Sequence, residues 1–214
     1  MKHVVIGIPT PEYVHSDFAL ANLPQIINVA KKKGYKLSLM SKTGVRTDSN
    51  RNQILNTVLK SDADAILWLD ADMVYDVDIV DKLYTADKNV IGTTYYKRSY
   101  PYYPVVYVKN GNEVNPYSPV DLGDKPEIPL IVDGIGFGGM MVKTSFYRSL
   151  GEDMWHRYGD NFQIPTATTK KESHDLVFCQ TTQEHGSEVW IHNGCKALHI
   201  ESRPVGEVEF RRGY

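Results

Sequence analysis

Apolar residues recur along this chain in short runs, separated by stretches whose apolar positions follow helical spacing, and that alternation sets the expected architecture. Val4 to Ile8 is a β-branched run that stops at Pro9 and Pro11, which predicts a first strand entering a loop at its carboxyl end. Ser16 or Asp17 can cap a helix running to about Lys33, with Leu23, Ile26, Ile27 and Ala30 on one face and Gly34 as the stop. Pro24 falls inside it and either kinks the helix or marks its true first turn. Lys36 to Met40 predicts a second strand. Ile54, Leu55, Val58 and Leu59 then mark a helix buried on one side, capped by Asp48 or Ser49 and opened by Arg51 and Asn52. Ala65 to Leu69 is a continuous apolar run, the pattern of a strand buried on both faces of a parallel sheet. Strand, helix, strand, helix, strand is the order of a doubly wound fold, so the expected class is α/β, with a Rossmann-like, mostly parallel central sheet and flanking helices.

Past this point the pattern changes. A short helix over about Asp78 to Ala86, with Ile79, Val80 and Leu83 inward, leads to a strand over Asn89 to Thr93. Thr94 to Tyr107 carries six tyrosines with Lys97, Arg98, Pro101 and Pro104, and Asn110 to Pro129 is rich in Gly, Pro and Asn; both read as loop and hairpin. The tyrosines either pack a β-hairpin or, with the nearby cations, form an acceptor-side surface able to stack on sugars or bases and contact phosphates. Leu130 to Val132 predicts a short strand. It leads into Gly134, Gly136, Gly138 and Gly139, where backbone can approach a substrate or pack tightly against a neighbour. The Gly-x-Gly-x-x-Gly spacing of a dinucleotide site is absent. Thr144 or Ser145 caps a short helix, Trp155 to Thr169 reads as an irregular flap, and Glu172 to Gln183 as a helix with Leu176, Cys179 and Gln180 on one face. Glu188 to His192 and Lys196 to Ile200 predict a closing strand pair with Asn193-Gly194 as the hairpin turn.

Length and composition narrow the class. At 214 residues the chain suits one domain, 1–214, with a half over 1–93, a second half over 94–202 and a charged tail over 203–214. Lys plus Arg number 24 and Asp plus Glu 26, intermixed, for a net charge of −2, which argues against a broadly basic nucleic-acid surface. Cys179 and Cys195 both sit beside apolar residues, so buried thiols in a reducing compartment are expected rather than a disulfide framework. No run is long and apolar enough to span a membrane, and the N-terminus does not read as a signal peptide; a soluble, cytoplasmic protein is the expectation.

The candidate chemistry lies at the end of the apolar run. Asp70 and Asp72 follow it directly, and ligands of open α/β sheets bind outside the carboxyl ends of the strands. Two carboxylates one residue apart can share a divalent cation such as Mg²⁺ or Mn²⁺ with the phosphates of a substrate; the alternative is a pair of solvated turn acids.

Trp68-Leu-Asp-Ala-Asp-Met73 resembles the Leu-Asp-Ala-Asp of GT-A glycosyltransferases, particularly family 2-like ones, and Arg51-Asn52 stands where those enzymes often carry Arg-Asn. Gly138-Gly-Met-Met-Val-Lys143 looks like the family's Gly-rich acceptor-side strand. His174-Asp-Leu-Val-Phe-Cys179 is similar to its Glu-Asp-x-x-Phe-Cys, with His174 replacing the usual Glu. The resemblance implies a GT-A fold with a small β-hairpin acceptor region, and a metal-dependent hexosyltransferase that uses a nucleotide-diphosphate sugar, first of all a UDP-sugar, with inversion.

The resemblance also implies roles. Asp70 would contact the donor ribose, or the metal through water; Asp72 would bind the metal directly, and His199 would be a third ligand, its imidazole favouring Mn²⁺ over Mg²⁺. Taken alone, His199 reads as a satisfied core histidine; the company of Asp72 turns the reading toward a ligand. Asp175 would be the general base, or a helix-capping carboxylate, with His174 an alternative base or acceptor contact. Pro9, Thr10, Arg51 and Ala71 would line the nucleotide site, with Gly138 and Gly139 as its floor, and Arg203, Arg211 and Arg212 would fold over the diphosphate or stay solvated. The acceptor is open: a glycan precursor, a protein, or a modified DNA base, the last suited to a phage-like enzyme. Two other classes compete. A nucleotidyltransferase would need a Gly-rich, basic loop after the first strand, and Ile8 to Tyr13 has neither Gly nor a cation; a non-catalytic sugar or nucleic-acid binder would not need Asp70, Asp72, Asp175 and His199 together.

Overall fold

The computed structural model describes residues 2–10, 13–44, 46–112, 116–123, 125–151, 173–200 and 204–205. The anticipated flap over Trp155 to Thr169, Glu172, and the tail arginines Arg203, Arg211 and Arg212 lie outside these residues.

The first half follows the hydrophobic pattern. β1 (His3–Thr10), β2 (Lys36–Thr43) and β3 (Ala65–Trp68) pair in parallel, with β1 in the middle. β1 and β3 are buried throughout because both faces are covered: Val4, Ile6, Ile8 and Leu67 face one apolar cluster, and Val5, Ile66 and Trp68 the other. β1 runs two residues further than its apolar run predicts. Pro9 and Thr10 are therefore strand residues, not loop residues, in register with Lys42 and Thr43 of β2. The helical run after it divides into a π-helical turn, Asp17–Asn22, and α1, Leu23–Lys32, so Pro24 lies in the first turn of α1, at the junction of the two. Neither Ser16 nor Asn22 makes a side-chain cap. α2 (Thr47–Val58) starts earlier than the acids suggest: its N-cap position is Arg46, and Asp48 pairs with the Arg46 guanidinium instead of capping.

β4 (Met73–Tyr75), α3 (Ile79–Thr85) and β5 (Val90–Thr94) come next, with Ile79, Val80 and Leu83 buried as expected. β6 (Val106–Lys109), β7 (Tyr117–Pro119) and β9 (Gly134–Ile135) form a separate three-stranded sheet, while β8 (Pro129–Val132) joins the main one. β10 (Met140–Lys143) precedes α4 (Thr144–Ser149), and α5 (His174–Glu184) precedes β11 (Val189–Ile200) and β12 (Pro204–Val205). Along the main sheet the order is β12-β11-β5-β10-β3-β1-β2. β2, β1, β3, β5 and β11 share one direction, and β10 runs antiparallel between β3 and β5. The sheet is thus mixed, with a parallel majority.

The anticipated hairpin at Asn193-Gly194 does not form. β11 is one strand of twelve residues whose register against β5 shifts between His192 and Lys196. A hairpin requires its two arms to pair with each other, but here they have different partners. Val189 to His192 lies between β5 and β8, whereas Ala197 to His199 pairs with β4. The Asn193 side chain secures the irregularity by donating to the carbonyls of Leu122 and Lys125 at 3.0 and 2.9 Å.

The central strand tolerates little change of volume. Ile66 is fully buried and sits opposite Val142 of β10. Ile66→Val is expected to cost about 1 kcal/mol, read as a fall of roughly 2–4 °C in the thermal midpoint; an unchanged midpoint would contradict close packing here.

Candidate active site

The turn that carries the two acids is fixed by the strands around it. β3 ends at Trp68, the Leu69 N–H donates to the Gly7 carbonyl, and the chain turns through Asp70, Ala71 and Asp72 into β4. Tyr75, at the end of β4, folds its hydroxyl back to accept from the Asp70 N–H at 2.7 Å. The Ala71 carbonyl accepts from the His15 N–H, and the Asp72 carbonyl accepts from the Ile200 N–H at 2.8 Å. Pairing of β4 with β11 sets His199 opposite Met73, the residue after Asp72. His199 and the acidic turn, far apart in sequence, are thereby neighbours.

Each carboxylate already has a cationic partner. Asp70 Oδ1 accepts from Arg51 Nη2 at 2.6 Å, and Asp72 Oδ2 lies 2.6 Å from Arg98 Nη2. Burial pushes the Asp70 carboxyl above the usual carboxylate range, with the neighbouring charges of Asp72 and Asp175 adding to the rise and Arg51 opposing it. Arg51 is held on three sides. Besides Asp70, its Nη1 is 2.8 Å from His174 Nε2 and its guanidinium carbon is 4.6 Å from the centre of the Phe137 ring. His174 stacks on the same ring, with centroids 5.6 Å apart and planes 17° from parallel. Arg51 and His174 themselves line a small recess of about 30 Å³ together with Leu55, Trp68, Phe137, Tyr147 and Phe178.

His174 Nε2 is also 2.8 Å from Asp175 Oδ1. One ring nitrogen cannot accept from Arg51 and donate to Asp175 together. When it accepts from Arg51, Asp175 Oδ1 is a buried carboxylate oxygen without a donor. Burial by itself would raise the Asp175 carboxyl, but His174, the Arg51 charge and the Phe137 N–H hold it below the usual range, so it is ionised at neutral pH. Asp175 lies in the first turn of α5, whose N-cap is Ser173, the Ser173 side chain accepting from the Leu176 N–H. Capping is therefore the work of Ser173 and leaves the Asp175 side chain to the site.

His199 has one ring nitrogen spent on a backbone carbonyl. A carbonyl only accepts, so Nδ1–H donates to the Tyr96 oxygen and Nε2 is the ring's acceptor. Burial lowers its pKa, which keeps the ring neutral, while Asp72 and Asp70 draw it the other way. Two carboxylates and an imidazole are a donor set that suits Mn²⁺. Among the described residues, however, no three His, Cys, Asp or Glu side chains are gathered into a ready metal group. The donor chemistry fits a divalent cation; Arg98 competes for it at Asp72.

The glycines serve the site from below. A Cβ at Gly138 would come within 2.8 Å of Met73 Sδ and 3.1 Å of Asp70 Oδ2, and Gly139 has φ +85, a conformation that side chains disfavour. Close packing beside Asp70 explains Gly138, and the left-handed backbone explains Gly139. Thr10 is not drawn to the acids: its hydroxyl donates to the Lys42 carbonyl and meets the Thr43 hydroxyl, and its own carbonyl accepts from Asn50 Nδ2. Of the tyrosines, Tyr95 and Tyr96 are buried, Tyr95 stacking edgewise on His199, whereas Tyr100 and Tyr103 are exposed. Packing thus holds for Tyr95 and Tyr96, while Tyr100 and Tyr103 face outward. The sequence does not single out Phe137, and it marks Arg98 only as a cation of the Tyr-rich segment, not as a partner of Asp72. A partner for Asp72 in the Tyr-rich segment leaves no local signal, and an aromatic among glycines reads as core.

No protein-family model matches the chain, and no curated protein matches it in sequence. Solved structures do match in fold. A197 from STIV superposes with a TM-score of 0.59 at 19% identity, over 96% of this chain and 90% of that one. GalNAc-T7, in a crystal structure with UDP, GalNAc and Mn²⁺, superposes with a TM-score of 0.51 at 10% identity, over 94% of this chain. This chain spans only 43% of the GalNAc-T7 chain. At these identities the likeness is one of fold. Among the described residues no helix is long and apolar enough to cross a membrane.

Proposed function

We propose that this chain is a GT-A type glycosyltransferase that moves a hexose from a UDP-sugar to an acceptor hydroxyl, with inversion at the anomeric carbon. The observation that carries the reading is the pairing of β4 with β11, which sets His199 beside the Asp70–Asp72 turn at the carboxyl end of a buried parallel strand. The fold shared with GalNAc-T7, whose structure holds UDP and Mn²⁺, supports it.

In this reading Asp72, with Asp70 and His199, holds a divalent cation, which when bound neutralises charge on the departing diphosphate. The other residues act directly. Arg51, clamped by Asp70, His174 and Phe137, fixes the direction of the Asp70 carboxylate. Asp175 Oδ1 takes the proton from the acceptor hydroxyl as its oxygen bonds to the anomeric carbon and the bond to the diphosphate breaks. His174 sets the availability of Asp175: accepting from Arg51 frees Oδ1, and donating to Oδ1 occupies it. The exposed Tyr100 and Tyr103 offer an acceptor-side surface.

Purified protein with Mn²⁺ and a panel of nucleotide sugars tests the reading, scored by release of free nucleotide diphosphate. Slow hydrolysis of a UDP-sugar that stops on chelation is the expected result. Release of pyrophosphate from a nucleoside triphosphate and a sugar phosphate would instead indicate a nucleotidyltransferase, and neither hydrolysis nor donor binding would indicate a binding protein.

A further inference from the structure

We propose that Arg98 is a diphosphate-binding residue held on Asp72 until a divalent cation displaces it, so that cation and guanidinium exchange one anionic partner for another; this rests on the assignment of the acidic turn as the donor site. The two arginines of the site differ in a way that marks Arg98 as the exchangeable one. Arg51 is 7% exposed and locked on three sides, whereas Arg98 is 52% exposed and reaches Asp72 from a hairpin.

The hairpin is anchored at its base. The Val105 N–H donates to the Tyr95 carbonyl and the Lys97 N–H to the Tyr103 carbonyl, both at 2.9 Å, and Tyr96 bridges to Pro104. Tyr95 and Tyr96 are buried, and the Tyr96 carbonyl carries the His199 Nδ1–H. The base therefore belongs to the site, while the part beyond it bears Arg98 and the outward Tyr100, 67% exposed. A guanidinium leaving Asp72 from this base stays within a side chain's length of whatever Asp72 then holds.

Charge drives the exchange. At both carboxylates a divalent cation sets a second positive charge beside a guanidinium; Arg51 is buried and fixed on Asp70, so half-exposed Arg98 is the one that can move away. Once the cation has Asp72, the guanidinium lacks its carboxylate, and a diphosphate on that cation presents paired oxygens that match its planar fork.

Manganese titrations followed by electron paramagnetic resonance, without nucleotide, test the exchange on the full chain carrying Arg98→Met, which keeps the apolar stem and removes the charge. Removal of a competitor of half-exposed ion-pair strength should tighten Mn²⁺ binding roughly three- to fivefold. With Mn²⁺ saturating, the same variant should bind UDP about tenfold more weakly, as for loss of one charge-assisted contact, and Arg98→Lys should fall between Met and wild type in both. Unchanged Mn²⁺ affinity, or unchanged UDP affinity, overturns the role of Arg98 while leaving the donor site standing. Absence of Mn²⁺ binding by wild type and variant alike overturns both.

Discussion

Asp72→Asn is expected to lower the affinity for UDP in the presence of Mn²⁺ by at least about a hundredfold, since losing even an outer partner of a metal ligand commonly costs ten- to a hundredfold. The fold should survive it. The Asp72 carbonyl that accepts from Ile200 is untouched, and the side chain's contact with half-exposed Arg98 contributes at most about 1 kcal/mol. Calorimetric titration of UDP alongside thermal unfolding separates the two effects. Retained affinity would remove Asp72 from the metal site, and a collapsed midpoint would make the residue structural.

Asp175→Asn should spare binding and act on the chemistry. The amide matches the carboxylate in size but cannot take the acceptor's proton, so kcat is expected to fall about 10²- to 10⁴-fold with UDP affinity nearly unchanged. The pH profile carries a second signature. Because His174, Arg51 and the Phe137 N–H together hold Asp175 below the usual carboxylate range, it stays ionised as pH falls to the ordinary aspartate value of about 3.9. The acid limb of kcat attributable to this group should therefore lie below that value wherever the protein remains folded. Loss of binding in both the Asp72 and Asp175 variants would reject the division of labour between them.

Much of this was legible in the residues because it depends on local patterns. β1 and β3 announce burial on both faces through unbroken apolar runs, α3 shows its inward residues by spacing, and the position of Asp70 and Asp72 after β3 is set by where the run ends. Features decided by distant partners were not legible. Asn193-Gly194 carries a strong hairpin signal, yet β11 continues because β5, β8 and β4 claim its two ends. β1 outlasts its apolar run because β2 matches it residue for residue through Thr10 and Thr43. His199, ambiguous in the sequence between core and ligand, is a buried ring with Nδ1–H tied to the Tyr96 carbonyl, a placement that only the pairing of β11 reveals. The Arg98 contact to Asp72 joins two segments with no common periodicity, so only the fold could bring it to notice.

Equilibrium titration of UDP into the wild-type protein, with Mn²⁺ and then with the metal chelated, decides whether the acidic turn binds its donor through a cation. Binding that requires the cation is the predicted result; equal binding with and without it, or none in either case, would contradict the account.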